Sequence, residues 1–280
     1  MQHTDVDGGC LVASGLQQWV CIASNDKTMS QFHVLTMLGE SFVNTLTIVL
    51  PFFPTGTMER VVVEGQVATA NTLAKMFSHL PCGGQKNRLM LYDLHTLQNR
   101  FFFDLNTIAT LHSAFPLIIN KVREMQRRAG TNEVAICFPD AGAEKRFAHY
   151  FHEAFPEIHT VVCGKKRDPD RPNRRIVKIL DGDPSGKTCL IIDDLVQTGG
   201  TLTASAKALK SHGAESVSAF CTHAVFPSRA WRRFLKDGDR AIFDKFYVTN
   251  SNPVVTDELP TDDCFEVLDI TELVVADLDD

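Results

Sequence analysis

Short apolar segments alternate with amphipathic ones along most of this chain, and this alternation narrows its possible folds more than any other feature. Apolar and β-branched runs predict strands at Val20–Ile22, Leu46–Leu50, Leu89–Tyr92, Val134–Phe138, Thr160–Cys163, Cys189–Ile192 and Val217–Cys221. Apolar residues three or four apart predict helices within 67–77, 118–125, 143–154 and 202–209. Strands and helices in turn predict an α/β fold, in which helices flank a mostly parallel sheet.

The length of the chain, 280 residues, suits two domains of ordinary size. One set of predicted strands and helices precedes residue 111 and a second set follows it. This arrangement predicts two similar lobes, over residues 1–111 and 112–280.

Polar residues cluster where predicted strands end. The segments Pro54–Thr57, Asp93–His95 and Pro139–Gly142 each come after one of the strands. In open α/β sheets, ligands bind at the carboxyl ends of the strands. The pattern therefore favours an enzyme over a passive scaffold.

Charge and hydropathy exclude several classes of partner. The chain has 28 Lys and Arg against 34 Asp and Glu, a net charge of −6, whereas a nucleic-acid-binding surface favours a basic balance. No apolar run reaches the roughly 18–20 residues that a membrane span needs, and the amino terminus lacks the basic and apolar pattern of a signal peptide. We therefore expect a cytoplasmic protein that binds neither nucleic acid nor membrane.

The eight cysteines are scattered along the chain, and no two of them form a Cys-x-x-Cys pair. Several, such as Cys137, Cys189 and Cys221, lie inside predicted strands. This distribution predicts reduced, buried thiols rather than a disulfide framework or a cysteine zinc site.

The most specific motif, residues 189–201, joins a predicted buried strand, two carboxylates, a glycine turn and the start of a helix. Gly199 and Gly200 allow backbone amides to approach a phosphate closely. Thr198 and Thr201 add hydroxyl donors, and the helix that follows presents the positive end of its dipole. Together these features predict an anion site.

The adjacent acids Asp193 and Asp194 would repel a phosphate, so we expect them to face sugar hydroxyls or a bound magnesium ion. A sugar phosphate would satisfy both parts of the motif. The alternative is a strand that ends in an ordinary helix cap with two solvated Asp residues.

This motif resembles the phosphoribosyl-diphosphate binding loop of type I phosphoribosyltransferases and of phosphoribosyl-diphosphate synthetases. Leu91–Gln98 looks like the Asp-Leu-His segment of the synthetases, which implies that Asp93 and His95 help hold the magnesium of bound ATP. A hydrogen-bonded structural His is the alternative there. Phe138–Arg146 is similar to their Pro-Asp-x-Gly-x-x-Lys-Arg segment, which implies that Asp140 meets the ribose or its metal.

A basic stretch begins at Cys163-Gly164-Lys165-Lys166-Arg167 and holds seven Lys and Arg residues between positions 165 and 178. The sequence predicts a mobile loop over 164–185, with a solvated hairpin as the alternative. In the synthetases a flexible loop brings a Lys and an Arg onto the polyphosphate, which implies that role for Lys165 and Arg167. Such a lid suits phosphoryl-type transfer, which is catalysed largely by positioning and charge neutralisation.

The resemblance is closest to the plant-type, second class of these synthetases, in Leu50–Arg60, Asp194–Thr201 and Thr222–Pro227. Thr57-Met58-Glu59 stands where the broader family has Arg-Gln-Asp, and Arg60 would supply the missing cation. Exposed helix charges are the simplest interpretation of Lys145 and Arg146. Family members also begin with a further strand and a Phe-containing loop that packs on the adenine, and residues 1–18 are too few to contain all of it.

The resemblance implies a ribose-phosphate diphosphokinase built from two lobes of the type I phosphoribosyltransferase fold, with ATP and ribose 5-phosphate as substrates and Mg²⁺ as cofactor. The implied ribose 5-phosphate ligands are Asp193, Asp194, Gln197, Thr198, Gly199, Gly200 and Thr201. The implied ATP-binding residues are Arg60, His95, Lys165 and Arg167, the metal ligands are Asp93, His95 and Asp140, and the catalytic residues are Lys165, Arg167 and His95.

Two other functions stay open at this point. A catalytically silent subunit that regulates an active synthetase fits the short amino terminus and the Thr57–Glu59 departure. A salvage phosphoribosyltransferase would use the same loop, but it needs neither the Asp-Leu-His nor the Lys-x-Arg segment. The resemblance also implies a homo-oligomer, or a hetero-oligomer with related subunits. For the general base, the neutral imidazoles of His95 and His223 are the candidates.

Overall fold

The computed structural model describes residues 11–14, 17–21, 28–41, 43–104, 106–130, 133–167 and 175–279. Contacts divide the chain into two compact units. The first contains Met1–Ser113 together with Ser251–Val254 and Thr271–Asp280, and the second contains Ala114–Asn250 and Val255–Ile270. Each unit is built around a sheet of its own.

Among the described residues, the sheet of the first unit has five strands in sequence order. Their bounds are Leu11–Ser14 (β1), Gln17–Cys21 (β2), Thr45–Leu50 (β3), Asn87–Tyr92 (β4) and Thr107–His112 (β5). β1 runs antiparallel to β2, and the other neighbouring strands are parallel. The carboxyl ends of β3 and β4 therefore lie at the same edge of this sheet.

The core of the first unit lies between this sheet and two helices, Thr28–Glu40 (α1) and Thr69–Ser78 (α2). Ala70, Ala74 and Phe77 of α2 are buried because their spacing of three and four residues places them on one helix face. They pack with Ile48 of β3, and the ring of Phe77 lies 4.8 Å from that of Phe32 in α1. Burial of a side chain such as Phe77 contributes about 2 kcal/mol to stability.

The sheet of the second unit has seven strands, and its order is not sequential. The strands are Val134–Phe138 (β6), His159–Arg167 (β7), Arg175–Asp181 (β8), Thr188–Val196 (β9), Ser216–Ala224 (β10), Phe246–Thr249 (β11) and Phe265–Leu268 (β12). They are arranged as β12-β11-β10-β9-β6-β7-β8. Only the pairing of β7 with β8 is antiparallel among these described strands.

Helices cover both faces of this second sheet. Their bounds are Phe115–Ala129 (α3), Ala141–Ala154 (α4) and Gly200–Ser211 (α5). The short helix Pro253–Thr256 (α6) is divided between the two units, and the last helix, Thr271–Asp279 (α7), belongs to the first unit. Successive residues of a strand point to opposite faces. Leu190 and Ile192 of β9 accordingly pack in the cluster with α3 and α4, whereas Cys189 and Ile191 pack in the cluster with α5.

The chain changes direction across the second sheet between β6 and β9. From β6 it passes through α4 to β7 on one side, and from β9 it passes through α5 to β10 on the other side. In open α/β sheets such a reversal leaves a crevice outside the carboxyl ends of the two strands. The segments that begin at Pro139 and at Gln197 start at this point.

Every predicted strand and helix has a counterpart among the described residues, several with longer bounds. Ile22 of the first predicted strand lies outside the described part, and the helix predicted from residue 67 begins at Thr69. The patterns missed strands β1, β5, β8, β11 and β12 and helices α1, α6 and α7. β11 is a buried strand of only four residues, whereas β1, β5, β8 and β12 are edge strands of the described sheets and therefore need no continuous apolar run. In β5, for example, Ile108 is exposed. A strand at Leu11–Ser14 also precedes β2, and residues 1–10 lie outside the described part of the chain.

The prediction of a mobile loop over residues 164–185 is wrong in part. β7 continues to Arg167, β8 begins at Arg175, and the two strands pair as an antiparallel hairpin. Backbone pairing needs no apolar side chains, so strands rich in Lys and Arg carry little sequence signal. Residues 168–174 lie outside the described part.

The cysteines that the structure describes with their side chains are free thiols, and all except Cys82 are buried. Loss of hydration raises the pKa of Cys163 to about 11 and that of Cys264 to about 12. The prediction of reduced, buried thiols is confirmed for these residues. Within the described residues, no helix combines the length and the apolar character needed to cross a membrane.

Candidate functional site

The loop between β9 and α5 presents the start of a helix to solvent. β9 ends at Val196 and α5 begins at Gly200, so residues 197–199 form the connection. Gln197 and Thr198 are exposed, and so is Gly200. The first N–H groups of a helix have no acceptor within it and carry its positive dipole end. An exposed helix start of this kind is what the predicted anion site requires.

Gly199 makes the sharp turn of this loop possible. Its φ is +66°, in the left-handed region that glycine adopts without a steric penalty. A methyl group at this position would overlap the ring of Phe234, which packs directly against the glycine. The carbonyl oxygen of Gly199 accepts hydrogen bonds from the N–H of Thr203 at 3.0 Å and from its hydroxyl at 2.9 Å. Sequence reasoning missed both Phe234 and Thr203.

The two acids of the motif lie in the last part of β9 and have different environments. Asp194 is only 2% exposed, and its Oδ2 accepts a hydrogen bond from Nη1 of Arg146 at 3.1 Å. Asp193 is partly buried, and its Oδ1 accepts from the N–H of Asp194 at 3.0 Å. Adjacent strand residues point to opposite faces, which is why only one of the two carboxylates reaches α4.

Burial raises the pKa of Asp193 well above its usual range, and the nearby carboxylates of Asp194 and Asp140 raise it further. A cation or hydroxyl donors at this position would stabilise the ionised form. Oxygen ligands of this kind suit Mg²⁺, which proteins usually hold through one or two carboxylates together with substrate phosphates. Within the described residues no three His, Cys, Asp or Glu side chains converge as a complete metal site.

Asp140 caps α4 at the carboxyl end of β6. Its Oδ1 accepts hydrogen bonds from the N–H groups of Gly142 at 2.9 Å and Ala143 at 3.0 Å, and its side chain is exposed. Because β6 is the neighbour of β9, Asp140 and the acid pair follow adjacent strands. The structure thus brings these three predicted residues to one edge of the second sheet.

The position of Arg146 contradicts the expectation that both basic residues of this segment are exposed helix charges. Lys145 is exposed, but Arg146 turns inward to the buried Asp194, and its guanidinium lies 4.5 Å from the centre of the Phe147 ring. Arg146 lies three residues after the buried Ala143 and next to Phe147. That spacing was the available sequence signal for a position beside the buried face of α4.

In the first unit, Asp93 follows β4 directly and adopts a strained backbone conformation with φ of +39°. Its N–H donates to the carbonyl of His112 at 3.1 Å, and its Oδ1 accepts from the hydroxyl of Ser113 at 2.7 Å. The side chain of Asp93 is buried, whereas that of His95 is exposed. Asp93 is therefore rigidly held, and His95 faces solvent.

The segment after β3 lies against the segment after β4. Glu59 accepts a hydrogen bond from the hydroxyl of Thr96 at 3.2 Å and pairs with Nε of Arg60 at 3.0 Å through the same oxygen, Oε1. The side chain of Arg60 is 78% exposed. Asn99 also donates to the carbonyl of Gly56 at 2.9 Å. Two segments singled out separately in the sequence are thus joined within the first unit.

Lys165 and Arg167 lie in the last residues of β7, where they pair with Val177 and Arg175 of β8. Their backbone positions place them in the hairpin of the second unit. Their side chains lie outside the described part of the structure.

The family model of the phosphoribosyl transferase domain matches residues 107–250. Ribose-phosphate pyrophosphokinase 4 of Arabidopsis thaliana is 40% identical over 243 residues, which cover 86% of this chain and 69% of that protein. Chloroplastic ribose-phosphate pyrophosphokinase 3 of Oryza sativa subsp. japonica is 37% identical over 252 residues, 89% of this chain and 59% of that protein.

The solved structure of phosphoribosylpyrophosphate synthetase from Mycobacterium smegmatis matches with a TM-score of 0.72. The match covers 90% of this chain and 76% of that chain at 24% sequence identity, so it bears on the fold alone. Together with the family model, it confirms the predicted α/β fold of phosphoribosyltransferase type, with mostly parallel sheets flanked by helices.

Proposed function

This chain belongs to the ribose-phosphate pyrophosphokinase family, and on that premise we propose that it is itself a ribose-phosphate diphosphokinase. The anomeric hydroxyl of ribose 5-phosphate attacks the β-phosphorus of ATP and gives up its proton. A new oxygen–phosphorus bond forms, the bond from the β-phosphorus to the α–β bridging oxygen breaks, and AMP leaves with that oxygen. The products are phosphoribosyl pyrophosphate and AMP.

One observation carries this proposal: an acid pair and an open, glycine-containing helix start lie at the point where the strand order of the second sheet reverses. A phosphate fits the helix start, and sugar hydroxyls fit the carboxylates. A sugar phosphate is therefore the ligand that matches both groups at once.

We assign the ribose 5-phosphate site to the second unit. The 5-phosphate would be bound by the backbone amides of residues 197–201 and by the hydroxyls of Thr198 and Thr201. Asp193 and Asp194 would accept hydrogen bonds from ribose hydroxyls or hold a magnesium ion. The buried pair of Asp194 with Arg146 supports this role, because it fixes one carboxylate in place before substrate arrives.

We assign Arg60, Asp93 and His95 of the first unit to ATP and its metal. The hydrogen bonds from Ser113 and to His112 support a fixed carboxylate at Asp93. In the second unit, Asp140 would meet the ribose or its metal, since its exposed carboxylate lies beside the acid pair. When bound, Mg²⁺ would neutralise phosphate charge and orient the diphosphoryl group.

Lys165 and Arg167 would neutralise the charge that develops on the α–β bridging oxygen as AMP departs. Groups that act on charge present mainly in the transition state affect the rate more than substrate binding. His95 would contribute to the ATP site. His95 and His223 are also the candidates for the general base. His223 is buried in β10, whereas His95 is exposed and accessible to a substrate proton.

The decisive experiment is incubation of the purified chain with ribose 5-phosphate, ATP and magnesium, followed by chromatography of AMP and phosphoribosyl pyrophosphate. We expect both products in equal amounts. Lys165→Ala should lower turnover by about 10²-fold or more while the affinity for ribose 5-phosphate stays nearly constant. Lys178→Ala, an exposed Lys on the partner strand β8, is the matched control and should behave like the wild type.

Binding of ribose 5-phosphate without any AMP would support a silent, regulatory subunit instead. Consumption of phosphoribosyl pyrophosphate with a nucleobase would support a salvage transferase. Equal losses of turnover and of ribose 5-phosphate affinity in Lys165→Ala would contradict the proposal that Lys165 acts on the rate rather than on substrate binding.

Three further predictions belong to this proposal. The chain would have lobes over residues 1–111 and 112–280, would assemble as a homo-oligomer or with related subunits, and would reside in the cytoplasm. Relatives include proteins named as chloroplastic and mitochondrial, so fractionation of cells is the direct test of location.

A further inference from the structure

The segment between β10 and β11 reaches back onto the loop that follows β9. In this segment, the Phe234 ring packs against Gly199. Nη1 of Arg240 donates a hydrogen bond to the carbonyl oxygen of Thr198. Two side chains more than thirty residues away in sequence therefore contact two adjacent residues of the loop.

Arg240 is itself held in position by its own segment. Its N–H donates to the carbonyl of Arg233 at 2.7 Å, which closes a turn, and Nε of Arg233 lies 2.9 Å from Oδ1 of Asp239. The guanidinium of Arg240 lies 6.0 Å from the centre of the Phe234 ring. Arg240, which donates to the loop, is thus held by contacts within its own segment.

Two successive carbonyl groups of the loop are occupied by donors from the protein. The carbonyl of Thr198 binds Arg240, and that of Gly199 binds Thr203. The described peptide bonds are all trans, and the C=O and N–H of a trans peptide point in opposite directions. The N–H of Gly199 therefore points away from the guanidinium of Arg240.

The orientation of the Thr198–Gly199 peptide matters for anion binding. Rotation of this peptide by half a turn would exchange its N–H for its carbonyl oxygen, which repels a phosphate. Gly199 has no side chain to oppose that rotation, because glycine populates both signs of φ about equally. A contact outside the loop is needed to select the orientation, and Arg240 makes such a contact.

We propose that Arg240 is a positioning residue for the ribose 5-phosphate site, which holds the Thr198–Gly199 peptide with its N–H toward the phosphate. The inference rests on the proposed function and adds a residue to it. Arg240 acts through the loop and is not a catalytic residue.

The test measures binding of ribose 5-phosphate and, separately, of Mg-ATP by titration calorimetry for the wild type and three variants. If loss of Arg240 leaves the loop in its binding orientation about one-tenth of the time, Arg240→Ala weakens ribose 5-phosphate binding about tenfold. Arg240→Lys retains a donor and should recover most of this loss. Arg232→Ala, the same charge removed from an exposed position of the same segment, should leave binding unchanged. Mg-ATP affinity should be constant throughout.

Ribose 5-phosphate binding by Arg240→Ala within twofold of the wild type would overturn the inference, and so would equal losses for both substrates. If Arg240→Ala does not fold, Arg240→Gln carries the test by the same criteria, because its amide is a weaker, neutral donor. A wild type that binds no ribose 5-phosphate would overturn the proposed function and this inference together. If every variant binds ribose 5-phosphate as tightly as the wild type does, the inference is overturned and the proposed function stands.

Discussion

The hydroxyl of Tyr92 donates a 2.6 Å hydrogen bond to the carboxylate of Asp277, which connects the end of β4 to the last helix of the chain. Nδ1 of His112 lies 3.3 Å from the same oxygen, and Arg88 donates to the backbone carbonyl of Asp277 at 3.3 Å. Tyr92 and His112 are paired across β4 and β5, and their rings stack. One residue of α7 thus holds two strands directly before the segment that begins at Asp93.

Removal of this carboxylate should destabilise the first unit. Asp277→Ala removes this charged acceptor from the buried Tyr92 hydroxyl, and hydrogen bonds to charged groups contribute about 1.5–3 kcal/mol to stability. Denaturant unfolding should show a loss of that size, whereas Glu272→Ala, an exposed acid on the same helix, should change little. Equal losses for the two variants would contradict the role of Asp277.

Replacement of Arg146 should both destabilise the second unit and weaken ribose 5-phosphate binding. Arg146→Ala leaves the buried Asp194 carboxylate without this cation, at a cost of about 1.5–3 kcal/mol. Lys145→Ala removes the same charge from an exposed neighbour on α4 and serves as the control. Thermal unfolding and calorimetric titration measure the two effects. If Lys145→Ala were as damaging as Arg146→Ala, general helix charge and not the pair with Asp194 would be responsible.

Gly199 should tolerate a methyl group less well than Gly186, although their φ angles of +66° and +68° are nearly equal. Gly186→Ala incurs only the backbone penalty, because a methyl group there meets no heavy atom within 4 Å. Gly199→Ala incurs the same penalty and also overlaps Phe234, so we expect about 1–3 kcal/mol of additional destabilisation. Denaturant unfolding compares the two variants. Equal losses in the free energy of unfolding would show that the Phe234 ring moves aside without destabilising the protein.

Asp193 should limit the stability of the ligand-free protein at neutral pH. Burial raises its pKa in the folded state, so its contribution to stability is full below about pH 3.9 and is lost as the pH rises through the folded pKa. Asp193→Asn should therefore melt above the wild type at neutral pH, and the difference should shrink toward pH 4. The same variant should bind ribose 5-phosphate less tightly.

Thermal melts across pH 4–8 provide the measurement for Asp193→Asn, with Asp262→Asn as the control at an exposed carboxylate. Asp262→Asn should show no such pH-dependent gain. A melting temperature for Asp193→Asn below that of the wild type at every pH would contradict the prediction.

The sequence by itself determined the α/β class, the strands of the two sheet interiors other than β11, and the loop at residues 189–201. These features depend on local properties: apolar periodicity marks buried faces, and glycine marks a turn that other residues do not adopt easily. The acid pair and the glycine turn were therefore visible before any folding was considered.

The tertiary structure alone decided which residues support that loop and the acids. Arg146 faces Asp194, Arg240 meets Thr198, and Asp277 meets Tyr92 only because distant segments pack side by side. These three contacts join residues far apart in the chain, and no local pattern of hydrophobicity or spacing encodes them. For the lysine- and arginine-rich segment the sequence left a mobile loop and a hairpin open, and the backbone pairing of β7 with β8 decided for the hairpin.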